Sequence, residues 1–330
     1  MNPHTLKRIL VIRRDNIGDL VCTTPLLRAL RQQLPEARIE VLATRYNQAV
    51  LAHSPDIDAL HFYIKAKHRA PGESVLSIHW QRLCMLYRLR RQRFDVAIIA
   101  GGESASARRL AHSVKARRIV VLDEADPAAG EHEVERCCHL LHSLSLRYET
   151  PPPRVVAAPQ DGTDAATLHF GIHISARKPS QRWPAEKFSQ LIRQLHARYP
   201  EARFGLLWAP GSEHNPEHPG DDEKAATILA SLQGEPVEAL PTQTLDALIS
   251  ALDRCAMVIC ADGGAMHLAA GLGKPIVCFF GQSDARRWHP WGVEHVLLQP
   301  PSLEVGDLSV AQVADAVATL QDARTPTGAA

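Results

Sequence analysis

Short apolar runs alternate with longer amphipathic stretches along the whole chain. Residues 8–13 (RILVIR) form the first run, and after a polar turn Leu20, Leu26, Leu27, Leu30 and Leu34 recur at helical spacing. Further strand-like runs are 38–43, 59–64, 95–100 and 118–122, with helical stretches between several of them. Such alternation predicts a parallel sheet wrapped by helices. Residues 150–167 carry Pro151, Pro152, Pro153 and Pro159 without any period and read as a linker. A second unit follows, with strands expected at 169–175, 203–208, 257–261 and 275–280 and helices near 184–199, 221–232, 244–252 and 265–272. The pattern is that of an α/β protein with two Rossmann-like doubly wound domains, 1–160 and 161–330, facing a central cleft. Ligands in such sheets bind outside the carboxyl ends of the strands, so the loops that follow strands should carry the chemistry.

Composition narrows the function classes. With 330 residues, 45% of them hydrophobic and 22% charged, the chain has the make-up of an ordinary globular protein, long enough for two cores. A formal net charge of +1 supplies no global field toward nucleic acid, so no nucleic-acid partner is expected and any anion site must be local. The first residues lack a signal-peptide apolar stretch, and no later run is long enough to span a bilayer, so the chain is expected in the cytoplasm. Its seven cysteines lie mostly in apolar segments and form no CxxC pair, which fits buried reduced thiols better than a disulfide framework or a zinc site.

Three post-strand loops stand out. Residues 13–19 (RRDNIGD) hold a single glycine, too few for a dinucleotide fingerprint. What they offer is Asp19 at a helix start, behind Gly18, which frees the backbone to turn. Asp19 is either a helix cap or a general base facing the cleft. Residues 258–280 read strand, glycine turn, helix, strand; Gly263 and Gly264 permit a tight turn, and the free amides of the following helix make an anion cradle. Asp262 is a turn residue or a partner for sugar hydroxyls, because a diphosphate would repel it. His267 is a phosphate donor or a solvated or capping side chain. Arg286 and Arg287 follow in the next loop. The third loop, 175–184, places Arg177, Lys178 and Arg182 together, as an anion site or a solvated basic loop.

The N-terminal RILVIRRDNIGDLVCTTPLLRAL, the central loop ending RWP and the C-terminal ADGGAMHLAAGLGKPIVCFFGQSDARRW resemble the lipopolysaccharide heptosyltransferase family, glycosyltransferase family 9. The order and spacing match along nearly the whole chain. The resemblance implies the GT-B fold, an inverting and metal-independent transfer, and a nucleotide-sugar co-substrate, typically ADP-heptose, with no other cofactor. It makes Asp19 the catalytic base, with Arg14, Asn16 and Gly18 on the acceptor side. Asp262, Gly263, Gly264 and His267 would line the donor, and Glu223 would meet the nucleotide ribose. Two positions depart from the family pattern. Gln181 stands where a phosphate-holding lysine is usual, a role expected to fall to Lys178 or Arg182, and Gly263 stands where Ser or Thr is usual.

The acceptor implied is lipopolysaccharide core, another glycan, free or lipid-linked, or a protein side chain. A nucleotide-sugar-binding protein that has lost turnover, prompted by Gln181 and Gly263, is the competing class, and another GT-B activity is a third. Residues 80–94 read as a basic amphipathic helix, either solvated or touching the inner membrane. Glu135, Cys138, His139 and His142 fall near one another at helical spacing and mimic a metal site, although one helix rarely supplies a closed ligand set.

Overall fold

A computed structural model describes residues 6–63, 74–102, 104–123, 126, 129–159, 168–215 and 219–324. The chain divides into two compact units, Met1–Val156 and Ala157–Ala330. The first unit runs β1 (Arg8–Ile12), α1 (Ile17–Gln33), β2 (Arg38–Thr44), β3 (Ala59–Tyr63), α2 (Val75–Arg91), β4 (Val96–Ile99), α3 (Ala105–Val114), β5 (Arg118–Val121) and α4 (Glu133–Ser143). Its five strands are ordered β3-β2-β1-β4-β5, and every neighbouring pair is parallel. Ile9, Leu10, Val11 and Ile12 of the central strand are all buried, as a sheet covered on both faces requires.

The second unit runs β6 (Leu168–His173), α5 (Ala185–Arg198), β7 (Phe204–Trp208), α6 (Asp222–Ser231), β8 (Val237–Pro241), α7 (Leu245–Asp253), β9 (Cys255–Ala261), α8 (Gly264–Gly271), β10 (Ile276–Phe279), α9 (Ala285–Trp288), β11 (His295–Leu298) and α10 (Val310–Arg324). Its six parallel strands are ordered β11-β10-β9-β6-β7-β8. The core joins Phe170, Trp183, Phe188, Phe204 and Phe279 to aliphatic side chains from the helices, including Val313, Val317 and Leu320 of α10.

The strands that the hydropathy pattern does not reveal, β8 and β11, are the two edges of this sheet. Glu238 interrupts β8 and Pro241 ends it, while β11 offers only the three apolar residues Val296, Leu297 and Leu298 between His295 and Gln299. Helix α10 is also absent from the expectations, because much of its buried face is alanine: Ala314, Ala316 and Ala318. The proline-rich stretch is not a free linker through 151–156. The Arg154 amide donates to Thr24 Oγ1 at 3.0 Å and its guanidinium reaches Asp56 at 3.3 Å, which fastens this segment to the first unit. Residues 160–167 of the expected linker and residue 64 of the expected third strand lie outside the described residues. Among the described residues, no helix is long and apolar enough to cross a membrane.

Candidate functional site

Two post-strand loops, one in each unit, collect the chemistry. In the first unit, the chain leaves β1 at Ile12 and enters α1 at Ile17, with Asn16 as the cap residue. Arg13 turns its side chain inward and is 2% exposed. Its Nη2 lies 2.6 Å from Asp19 Oδ1 and 2.8 Å from Glu133 Oε1; its Nε lies 3.1 Å from Asp15 Oδ2, and Nη1 donates to the Ala100 carbonyl at 2.5 Å. One guanidinium is therefore shared by three carboxylates, of which Glu133 is itself 2% exposed. A buried ion cluster survives only when its members satisfy one another.

Asp19 is held at both oxygens. Arg13 donates to Oδ1, and the Asn16 amide donates to Oδ2 at 3.0 Å. Burial pushes the Asp19 carboxyl up, but the charge and hydrogen bonds of Arg13 and the hydrogen bonds from Asn16 outweigh it and hold the group below the usual aspartate range. The side chain remains 15% exposed, and a carboxylate held by one donor at each oxygen still has lone pairs to accept another. The helix-cap reading and the base reading of Asp19 are thus compatible. Burial opposes the charge on Arg13, yet the carboxylates of Asp19, Glu133 and Asp15 outweigh it and raise its pKa above the ordinary arginine value. Cys137, whose Sγ lies 3.5 Å from Arg13 Nη1, stays a neutral thiol, pushed up to about 12 by burial.

The remaining loop residues are placed differently from one another. Arg14 donates to Ser106 Oγ at 2.9 Å, and its guanidinium lies 4.6 Å from the centre of the Tyr63 ring. The Asn16 carbonyl accepts from Asn47 Nδ2 at 3.4 Å. Gly18 corrects an expectation: it lies inside α1 and is not among the positive-φ glycines, so the turn does not use its conformational freedom and is made before it.

In the second unit, Asp262 continues the ladder beyond β9, its amide donating to the Phe279 carbonyl at 2.8 Å, and Gly263 caps α8. The first amides of α8 have no partner within the helix and carry the positive end of its dipole. A Cβ at Gly263 would meet nothing within 4 Å, so the space in front of this turn is open. His267 is buried, edge-on to Trp288 with ring centres 6.0 Å apart.

Gln181, which replaces the usual lysine, is 4% exposed and engaged. Its Nε2 donates to Asp262 Oδ2 at 2.7 Å and to Ser283 Oγ at 2.8 Å, and Lys178 Nζ reaches the same hydroxyl at 3.2 Å. The juxtaposition depends on Gly281, where an added Cβ would sit 2.5 Å from the Ser180 carbonyl oxygen. Trp183 anchors this loop from below, donating to the Leu308 carbonyl at 3.0 Å. Of the two cations expected to replace the missing lysine, Lys178 joins Asp262, Gln181 and Ser283. Arg182 instead turns its Nε to the Ala176 carbonyl at 3.1 Å.

Glu223 is exposed in the first turn of α6. Its neighbour Asp222 is structural, accepting from Trp208 Nε1 at 2.7 Å and from the Gly211 amide at 2.8 Å. Beside them, burial lowers Lys224 to about 8, while its Nζ donates to the Ile174 carbonyl at 3.0 Å. His173, at the carboxyl end of β6, is lowered to about 4 by burial and by Lys224. Arg13, Glu133, His173 and Lys224 are the residues that sequence reasoning missed. A charged residue directly after an apolar strand was the available signal for Arg13. Glu133 gave none, being 120 positions away.

The helical cluster on α4 has other duties. Glu135 accepts from the Glu131 and His132 amides at 3.1 and 3.0 Å, His139 meets Asp126 at 3.0 Å, and His142 stacks on Tyr148. Among the described residues, no group of three His, Cys, Asp or Glu is arranged to hold a metal ion.

The family model of glycosyltransferase family 9 (heptosyltransferase) matches residues 82–304. The chain is 25% identical over 300 residues to lipopolysaccharide heptosyltransferase 3 of Escherichia coli, covering 83% of each protein. It is 24% identical to lipopolysaccharide heptosyltransferase 1 of E. coli K12, covering 95% of this chain and 100% of that one. Among solved structures, E. coli heptosyltransferase WaaC with ADP superposes with a TM-score of 0.77 at 20% identity, covering 94% of this chain and 99% of the other. A family 9 glycosyltransferase from Veillonella parvula gives 0.76 at 20% identity, covering 95% and 97%.

Proposed function

The chain belongs to glycosyltransferase family 9 and has the GT-B fold, and from that premise we propose that it transfers heptose from ADP-heptose to a lipopolysaccharide core acceptor, with inversion and without a metal. The enzyme class is that of the family, a glycosyltransferase. Donor, acceptor and stereochemistry are the proposal.

In this reading an acceptor hydroxyl attacks the anomeric carbon as the nucleotide diphosphate leaves from the opposite face, through an oxocarbenium-like transition state. Asp19 takes the hydroxyl proton. The observation that carries the assignment is the clamp on this carboxylate: Arg13 and the Asn16 amide keep it ionised and oriented, while part of it stays open. That grip makes Asp19 a weak base, suited to accept a proton late, once the hydroxyl is already bonding to carbon. The amides opening α8 and the Lys178 ammonium take the charge that grows on the diphosphate. Asp262, held by the neutral Gln181 amide, meets sugar hydroxyls, and Glu223 meets the ribose.

Gln181 gives no support to a binding protein without turnover, because it seats Asp262 and leaves Lys178 beside it. The test is incubation with ADP-heptose and a heptose-free lipopolysaccharide core, followed by product analysis. ADP release with a heptosylated product of inverted anomeric configuration is expected. Retention of configuration, or a melting temperature raised by UDP-sugars and not by ADP-sugars, would reject the proposal.

A further inference from the structure

The four large apolar side chains most open to solvent among the described residues lie on one helix. Leu76, Trp80, Leu83 and Tyr87 of α2 are 82%, 69%, 59% and 62% exposed. Their spacing of four, three and four residues sets them in one stripe along the helix. The opposite face already has its partner: Ile78 and Leu89 are buried, and Met85 and Leu86 pack against the core of the first unit. Helix α2 is therefore apolar on two sides, and the described residues cover only one of them. A contiguous apolar surface of this kind on a soluble domain marks an interaction site.

Charge identifies the occupant. Residues 75–94 contain Arg82, Arg88, Arg90, Arg91 and Arg93 and no acidic residue, in a protein whose net charge is only +1. Arg90 and Arg91 are exposed and follow the stripe on either side along the helical repeat, and Arg91 Nη1 donates to the Tyr87 hydroxyl at 3.3 Å. Trp and Tyr are the residues that settle at the level of lipid headgroups, leucine enters the acyl boundary, and arginine pairs with headgroup phosphate. A second copy of the chain is a poor occupant, since the same stripe carries no acidic residue in 75–94 to pair with these arginines.

We propose that the outward face of α2 docks this protein on an anionic lipid bilayer. Trp80 and Tyr87 sit at headgroup depth, Leu76 and Leu83 reach below them, and the arginines beyond Tyr87 hold the anionic surface. At the inward side of the same helix Arg82 lies 4.6 Å from the Tyr63 ring centre, as Arg14 does from that ring, so α2 is tied to the loop that carries Asp19. Docking through α2 would hold that loop close to the lipid surface. The inference rests on α2 and is independent of which sugar the site transfers.

The test is co-sedimentation of the full chain with vesicles of equal parts phosphatidylcholine and phosphatidylglycerol, and with phosphatidylcholine alone, across a salt series. Binding to the mixed vesicles that fades with added salt is expected. Replacing Arg88, Arg90 and Arg91 together by Gln should weaken it about a hundredfold, and Trp80→Ser with Leu83→Ser roughly tenfold or more. All five side chains are outward or past the packed face, and thermal melts of the variants check their fold. The chain has five tryptophans, so the difference spectrum between wild type and Trp80→Phe isolates Trp80, whose emission should shift to the blue on the mixed vesicles. Protein that stays in the supernatant at low salt overturns the proposal, as does equal binding to phosphatidylcholine alone. A dimer that Trp80→Ser with Leu83→Ser dissolves would give the stripe to a second copy instead.

Discussion

Asp19, in the first turn of the helix after β1, and Asp262, directly after β9, both follow a central strand of their sheet, yet they are held by opposite means. Asp19 is gripped by a buried cation that it shares with Glu133 and Asp15. Asp262 is gripped by a neutral amide, Gln181, shared with a serine hydroxyl. A buried guanidinium keeps a carboxylate ionised at the cost of base strength, whereas an amide orients a carboxylate without cancelling its charge. The first arrangement suits a group that must be anionic and fixed before it accepts a proton. The second suits a group that must hold hydroxyls next to a diphosphate whose charge belongs to the helix amides and Lys178.

The largest expected effect comes from removing the cation. Arg13→Met leaves Glu133 buried without its cation and should cost on the order of 3–5 kcal/mol in urea unfolding. Adding Glu133→Leu should return much of that stability, because replacing both members of a buried pair by apolar groups is often close to neutral. Should Arg13→Met alone prove harmless, the two loops would not differ as described.

Lowering pH separates the units next. His173 is held neutral in the fold at about 4, below its ordinary value of 6.5. A base with a depressed folded pKa contributes stability above its unfolded pKa and loses it as pH falls through the folded one. Melting temperature should therefore fall between about pH 6.5 and 4, and His173→Leu should flatten that stretch of the curve. Asp19 obeys the same sign at lower pH: its carboxyl is depressed, so its contribution disappears only on acidification through the aspartate range and below. An equally steep fall in His173→Leu would remove this account of the second unit.

A smaller effect belongs to the amide. Gln181→Ala deprives Asp262 of one hydrogen bond to a charged group and should weaken ADP-heptose binding about tenfold, measured by calorimetry, with little change in fold. Lys178→Ala should weaken ADP and ADP-heptose alike, since its proposed partner is the diphosphate, whereas Gln181→Ala should spare ADP. Equal losses of both ligands in both variants would erase the distinction between sugar and phosphate roles.

How far these regions were legible follows from distance along the chain. The central strands β1 and β9 hold continuous apolar runs and read directly at 8–13 and 257–261; β8, interrupted by Glu238, and β11, with only Val296, Leu297 and Leu298 apolar, do not. Asp19, Asp262 and the glycine turn lie in contiguous motifs, so local pattern and family resemblance single them out. The groups that set their chemistry did not share those motifs. Glu133 meets Arg13 across 120 positions, and Gln181 meets Asp262 across 81, so only the folded sheet brings them together. Gln181 illustrates the limit best: as a sequence position it looks like a lost lysine, and in the fold it is the donor that seats Asp262.

In the proposed transfer Asp19, kept ionised by Arg13, accepts the proton of the acceptor hydroxyl. The most direct test of that role is the transfer rate of Asp19→Asn at saturating ADP-heptose and acceptor, with donor affinity measured on the same sample. Asparagine preserves shape and leaves Arg13 with Glu133 and Asp15. The account predicts unchanged donor affinity and a turnover lower by roughly 100- to 10,000-fold. Turnover within a factor of a few of wild type would contradict it.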